Sequence, residues 1–292
     1  MAKLNRSIRS ASSDETMFFV VGAGKAGTTW LHDYLSSHDQ VSCGPTKEYS
    51  YFCYLWRVAG QGARPFQALN LFLAQMSLAR RTGKAKGYFS SLAKTLFSPM
   101  DYKQTLRGQS PDVRAFGDVS PRYATLGADA YCAMRGMHPK TKFIYIMREP
   151  VDRLWSSVQM RARDPRFKRH NSSSVFLEKH IKDKRVYESM NYPRTLDALY
   201  DAVPEADIII LFYETMFDQF EMDRLCSELG VKPLMAPLEE RVFSRVKDKM
   251  PAEWARKMYK ELKHVYEFVK AKFPLRVPQY WKAQEAEYKR AV

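Results

Sequence analysis

A lysine set among glycines opens the chemistry of this chain. Residues 17–31 read Met-Phe-Phe-Val-Val-Gly-Ala-Gly-Lys-Ala-Gly-Thr-Thr-Trp-Leu. The apolar run breaks at glycines, Lys25 sits inside the break, and Thr28 and Thr29 open a helical pattern. A strand, a glycine-rich loop and a helix N-terminus in that order wrap an anion in backbone N–H groups, with the positive end of the helix dipole behind them. The candidate anion ligands are Lys25, Ala26, Gly27, Thr28 and Thr29; Trp30, and Trp155 in the later segment, read as core residues first and as an aromatic slot for the ligand second. A second constellation lies 123 residues on, in Lys-Phe-Ile-Tyr-Ile-Met-Arg-Glu-Pro-Val-Asp-Arg-Leu-Trp-Ser-Ser over 142–157. Its continuous apolar run, 143–147, suits a strand buried on both faces. Arg148 then falls at the strand's carboxyl end, where open α/β sheets bind ligands. Pro150 suits the first turn of a helix, and Ser156 lies about two turns along it.

The first loop is not a Walker A sequence, which needs Gly-Lys-Ser/Thr at its end; here Lys25 precedes Gly27. A lysine placed early and followed by Gly-Thr-Thr resembles the 5′-phosphosulfate loop of the sulfotransferases that use 3′-phosphoadenosine-5′-phosphosulfate (PAPS). The second segment resembles that family's Arg-x-Pro-x-x-Arg-x-x-Ser motif for the 3′-phosphate, matched by Arg148, Pro150, Arg153 and Ser156. Arg153 also reads as a helix-surface charge or a structural pair. A third stretch, Thr46-Lys-Glu-Tyr-Ser-Tyr-Phe52, resembles the Lys-Glu-x-x-Phe-Phe of carbohydrate sulfotransferases acting on heparan-type chains, in which the glutamate is the base. A fourth, Phe116-Gly-Asp-Val-Ser-Pro-Arg-Tyr123, resembles the family's Lys-Ser-Pro-x-Tyr, with valine in place of the lysine.

The resemblance implies transfer of a sulfuryl group from PAPS to a hydroxyl or amine acceptor, leaving adenosine 3′,5′-bisphosphate (PAP). In-line transfer of this kind is mostly positioning and charge stabilisation. Lys25 is the candidate for neutralising the departing oxygen. Thr28 and Thr29 serve the 5′-phosphate, and Arg148 and Ser156 the 3′-phosphate. With lysine, arginine and dipoles meeting the charges, no metal is required. Three residues compete for the base: Glu48, whose pKa burial would have to raise; His32, as a neutral imidazole; and Asp118. Lys47, Glu48, Asp118, Ser120 and Tyr123 are the candidate acceptor contacts. Arg245 and Lys247, in Ser244-Arg-Val-Lys-Asp-Lys249, are candidates for a basic flap over the 3′-phosphate.

These residues need a scaffold. Strands are expected over 17–22, 41–43, 113–119, 142–147 and 206–212, and helices over 28–38, 47–58, 65–82, 121–137, 150–163, 173–190, 192–203, 215–229 and 252–273. Alternation of the two predicts a three-layer α/β, P-loop-like fold, a parallel sheet of about five strands with helices on both faces. Residues 1–15 read as a flexible arm and 16–292 as one domain, with a helical insertion at about 55–112 over the site.

Of the 292 residues, 45% are hydrophobic and 27% charged, an ordinary globular composition without an apolar run long enough for a membrane span. Met1 to Glu15 lacks the apolar core of a signal peptide or of the anchor that Golgi members of the family carry. A cytoplasmic protein is the simplest expectation, and a trimmed catalytic domain the competing one. Four cysteines without metal spacing agree with a reducing compartment. The formal charge of +15 attracts anions generally. The basic run over 161–170 has three readings: steering PAPS, holding an acidic acceptor, or a solvated loop. A P-loop kinase or other NTPase is the alternative enzyme. A nucleic-acid-binding protein ranks below it, because no recognition helix or aromatic RNA-binding motif is present. The partner is then a small molecule or glycan, its identity and the oligomeric state being open.

Overall fold

The computed structural model describes residues 14–60, 99–162, 178, 183–238 and 249–290. Five strands, β1 (Thr16–Gly22), β2 (Val41–Ser42), β3 (Ala115–Val119), β4 (Thr141–Met147) and β5 (Ile208–Phe212), form one sheet in the order β2-β3-β1-β4-β5, every neighbouring pair parallel. β1 is buried along its whole length and β4 almost so. Layers cover both faces, which is why these strands read as unbroken apolar runs. Phe19, at the centre of β1, packs against Phe52, Tyr123 and Phe143.

The order fixes where a ligand can sit. From β1 the chain runs outward to β2, returns to β3 beside β1, then crosses to β4 on the other side. A reversal of this kind is where open α/β sheets take a ligand, here at the carboxyl end of β1. Val20 pairs with Ile144 and Gly22 with Tyr145, so the loops leaving β1 and β4 emerge side by side.

Helix α1 (Thr28–Ser37) follows the first loop, and α2 (Tyr51–Gly60) starts later than the expected 47. Residues before it form a turn, with Glu48 and Ser50 at φ 63° and 52°. The single helix expected over 121–137 is a 3₁₀ turn, Pro121–Thr125, and then α4 (Ala128–Arg135), broken where Gly127 is extended at φ −96°, ψ 177°. Helix α5 (Pro150–Ala162) matches expectation. It is followed by α6 (Lys184–Met190), α7 (Tyr192–Ala202), α8 (Gln219–Leu229), which starts at its Asp218 cap, and α9 (Ala252–Lys272).

Two helices were not anticipated: α3 (Pro99–Arg107), inside the expected insertion, and the last, α10 (Gln279–Arg290). Residues 61–98, the rest of that insertion, and most of 163–182 lie outside the described residues. Glu15, placed by the sequence in the flexible arm, is buried in a bidentate pair with Arg107, at 2.8 and 3.3 Å. That pair ties the start of β1 to α3. Burial of both charges makes loss of one partner expensive, about 3–5 kcal/mol.

Candidate active site

The loop after β1 has the geometry of an anion cradle. The Ala23 N–H donates to the Ile146 carbonyl at 2.9 Å, fastening the loop to β4. Lys25 adopts φ 67°, and Gly27, the residue before α1, φ 86° and ψ 9°. The first intrahelical bond of α1 runs from the Leu31 N–H to Gly27 O, so the N–H groups of Thr28, Thr29 and Trp30 precede it. Gly27 offers no side-chain cap at this end, and no acidic residue occupies the first turn. A side chain at Gly27 would be crowded and strained. A Cβ there would lie 3.0 Å from the Tyr213 ring and 3.2 Å from the Met216 methyl, in a left-handed conformation.

Arg148 leaves the end of β4 and reaches the same loop. Its Nη1 donates to Lys25 O at 3.1 Å, its guanidinium carbon lies 4.5 Å over the Tyr213 ring, and its buried Nε has no hydrogen-bond partner among the described residues. The Tyr192 hydroxyl clamps its backbone, accepting from the Arg148 N–H at 3.2 Å and donating to its carbonyl at 2.6 Å. Ser156 is buried two turns along α5.

Behind Arg148 lies a carboxylate pair that the sequence did not signal. Glu149 is fully buried; it accepts from the Asp152 N–H at 2.7 Å and from the Tyr266 hydroxyl of α9. Burial, reinforced by the nearby charge of Asp152, pushes its pKa up to about 8. Glu214, after β5, accepts from the Glu149 N–H and from Trp281 Nε1 of α10, each at 2.8 Å, and burial raises its pKa as well. The C-terminal helices thus back the arginine through two acids.

On the opposite side of the loop, Lys47 Nζ donates to Thr29 Oγ1 at 3.2 Å and to Glu48 at 2.7 Å. Glu48 therefore stands one side chain away from the loop. Its side chain is 47% exposed, so the described residues do not supply the burial expected of it.

Several expected contacts take other roles. Asp118, Ser120 and Tyr123 are wholly buried. Asp118 accepts from Tyr102, Tyr123 and Ser120 at 2.6 to 2.8 Å, and Ser120 Oγ accepts from the Ser50 N–H at 2.9 Å. This network props the Lys47–Ser50 turn from beneath and presents no acceptor surface; a fully buried Asp118 cannot reach an acceptor proton. The ring nitrogens of His32 face Asp33 at 3.0 Å and Ser36 at 3.5 Å along its own helix. Trp30 is core, stacked on Tyr34 and edge-on to Phe217. Arg245 and Lys247 lie outside the described residues.

Tyr213, Tyr192 and Glu214 were missed as site residues. An aromatic pair and an acid at the ends of a strand and a helix carry no spacing signature, and their role comes from tertiary contact alone.

Among the described residues, no group of three or more His, Cys, Asp or Glu is placed to hold a metal, and no helix is long and apolar enough to cross a membrane. The four cysteines are free thiols.

The arrangement can seat an anion on the N-terminus of α1 and a second one beside Arg148. Solved structures share the fold. A sulfotransferase from Alicyclobacillus acidocaldarius superposes with a TM-score of 0.59 at 19% identity, covering 94% of this chain and all of that one. A mouse sulfotransferase complexed with PAP gives 0.42 at 17% identity, over 78% of this chain and 63% of its own. Sulfotransferase STF9 from Mycobacterium avium gives 0.45 at 14%, over 87% and 77%. No curated protein sequence matches. The family model described as "Sulfotransferase family" matches residues 18–235, from β1 past β5, and the chain belongs to that family.

Proposed function

We propose that this sulfotransferase takes its sulfuryl group from PAPS and passes it to a hydroxyl or amine acceptor, with a glycan the favoured class. One observation carries the nucleotide assignment. Two anion-binding ends, the capless start of α1 and the Nε of Arg148, unpartnered among the described residues, stand beside each other at the ends of adjacent strands. A nucleotide with phosphates at 3′ and 5′ matches two such ends; a triphosphate matches only the first.

On this proposal the roles are as follows. The α1 N–H groups and the Thr28 and Thr29 hydroxyls bind the 5′-phosphate. Arg148 and Ser156 bind the 3′-phosphate. Lys25 stabilises the charge that grows on the bridging oxygen as the S–O bond to the phosphate breaks and the bond from acceptor oxygen to sulfur forms. Lys47, already on Thr29, adds a second cation at the same end and steers Glu48. Glu48 takes the acceptor proton, so PAP departs as the sulfate ester is completed.

The test is ligand-induced stabilisation followed by turnover. PAP should raise the melting temperature, by a free energy of about 2.7 kcal/mol at a hundredfold excess over Kd. ATP with magnesium should do far less, and the reverse order refutes the assignment in favour of an NTPase. Lys25→Ala should fold and bind PAP yet lose on the order of 100- to 1,000-fold in transfer from PAPS to a glycan mixture, read by mass spectrometry.

A further inference from the structure

We infer that Arg153 is a positioning residue that holds the phosphate loop in its anion-ready conformation and does not itself touch the 3′-phosphate. The inference rests on the PAPS reading above and assigns this motif arginine to the other end of the nucleotide. Arg153 is 2% exposed. Its Nε donates to Gly24 O at 2.7 Å and its Nη1 to Ser189 O at 2.8 Å, at the end of α6. Its guanidinium carbon lies 5.2 Å over the Tyr192 ring. Two donors and one face of the fork are therefore committed to protein, the first of them to the loop.

The loop has reason to need this grip. Lys25 is a non-glycine residue at φ 67°, a conformation that costs about 1–2 kcal/mol and persists only where the surroundings over-determine it. The carbonyls on either side of that strained residue are the two that arginines of the second motif hold: Gly24 O by Arg153 and Lys25 O by Arg148. A peptide unit is planar and trans, so its C=O and N–H point in opposite directions. Fixing the Gly24 carbonyl toward α5 thus fixes the direction of the Lys25 N–H, and with it the start of the Lys25 side chain. Ser189 anchors the other end of the fork to α6. The segment read as a 3′-phosphate motif thereby also sets the geometry of the 5′ site, 123 residues earlier in the chain.

The experiment compares wild type, Arg153→Met and Arg153→Lys for binding PAP and adenosine 3′-phosphate by calorimetry, with melting temperatures alongside. Positioning predicts that Arg153→Met loses on the order of 10- to 100-fold in PAP affinity while affinity for adenosine 3′-phosphate stays within about twofold, a separation that general destabilisation does not produce. Arg153→Lys, which keeps one donor for Gly24 O, should recover part of the PAP loss. It carries the comparison if the Met variant does not fold. Equal losses for both ligands would show Arg153 on the 3′-phosphate and overturn the inference, as would unchanged PAP binding in both variants. If wild type itself binds no PAP, it is the PAPS reading that fails.

Discussion

Replacing Glu149 by glutamine should flatten the pH dependence of stability on one limb. The carboxyl is fully buried, and burial together with Asp152 moves its pKa from the ordinary 4.5 to about 8. The unfolded chain keeps the ordinary value. Below about pH 4.5 both states hold the proton and the residue has no pH-linked penalty. Between about 4.5 and 8 the unfolded chain ionises first, so stability falls as pH rises, by roughly 1.4 kcal/mol per pH unit. Above about 8 both states are ionised and the loss, on the order of 5 kcal/mol, is complete. Glutamine has no proton to lose. It can still accept from the Asp152 N–H, and its amide can face the Tyr266 oxygen. Urea denaturation of both proteins at pH 5, 6, 7 and 8 should therefore show Glu149→Gln gaining on wild type at every step. Glu214, whose pKa is also raised, remains in both proteins and largely cancels in the difference. Parallel stability curves over that range would show that Glu149 titrates alike in the folded and unfolded chain, and would refute the argument.

Gly27→Ala places a methyl 3.0 Å from the Tyr213 ring at φ 86°. It should cost about 2–4 kcal/mol in denaturation experiments, combining left-handed strain with overpacking, and PAP binding should fall with it. Tyr213→Leu removes the ring beneath the Arg148 guanidinium; a loss of about 1 kcal/mol, roughly fivefold in PAP affinity, is expected by calorimetry. Glu48→Gln should slow transfer and change its pH profile while leaving PAP affinity alone. Asp118→Asn, in the buried network, should instead lower stability by about 1–3 kcal/mol.

The sheet and its ligand edge were legible because their signals are local. An apolar run followed by glycines, or by Arg-x-Pro, marks a buried strand and its carboxyl end without knowledge of the rest, and β1, β4, α1 and α5 fall where those patterns place them. Positions whose role is decided by direction were not legible. Asp118 and Glu48 are both acids beside site-like residues; only folding turns one inward onto two tyrosines and a serine and leaves the other half-exposed on Lys47. Glu149 sat in plain view inside a motif, yet its burial depends on Tyr266, 117 residues away. The last helix, with exposed and buried residues mixed over 279–290, is tied down by polar contacts such as Trp281 to Glu214 and Glu285 to Tyr259 and Lys270, which leave no strong apolar stripe to read.

The buried acid also bears on how Arg148 meets an anion. A carboxylate directly behind a guanidinium would cancel much of its charge, and the pair would attract phosphate weakly. Burial raises the pKa of both Glu149 and Glu214, the second being the acid that interacts with Arg148, and so biases both toward the neutral form that leaves a neighbouring guanidinium uncancelled. The Arg148 chain is fixed by Tyr192, its ring partner is Tyr213, and its buried Nε keeps an unused donor among the described residues. Strand pairing does the rest. Because β1 and β4 are neighbours in register, the arginine and the glycine loop are held at one edge by the sheet itself, and the two arginine contacts to Gly24 and Lys25 make a single unit of segments far apart in sequence. On the PAPS reading proposed above, a site assembled in this way is organised before the nucleotide arrives, so little of the binding free energy is consumed in ordering it.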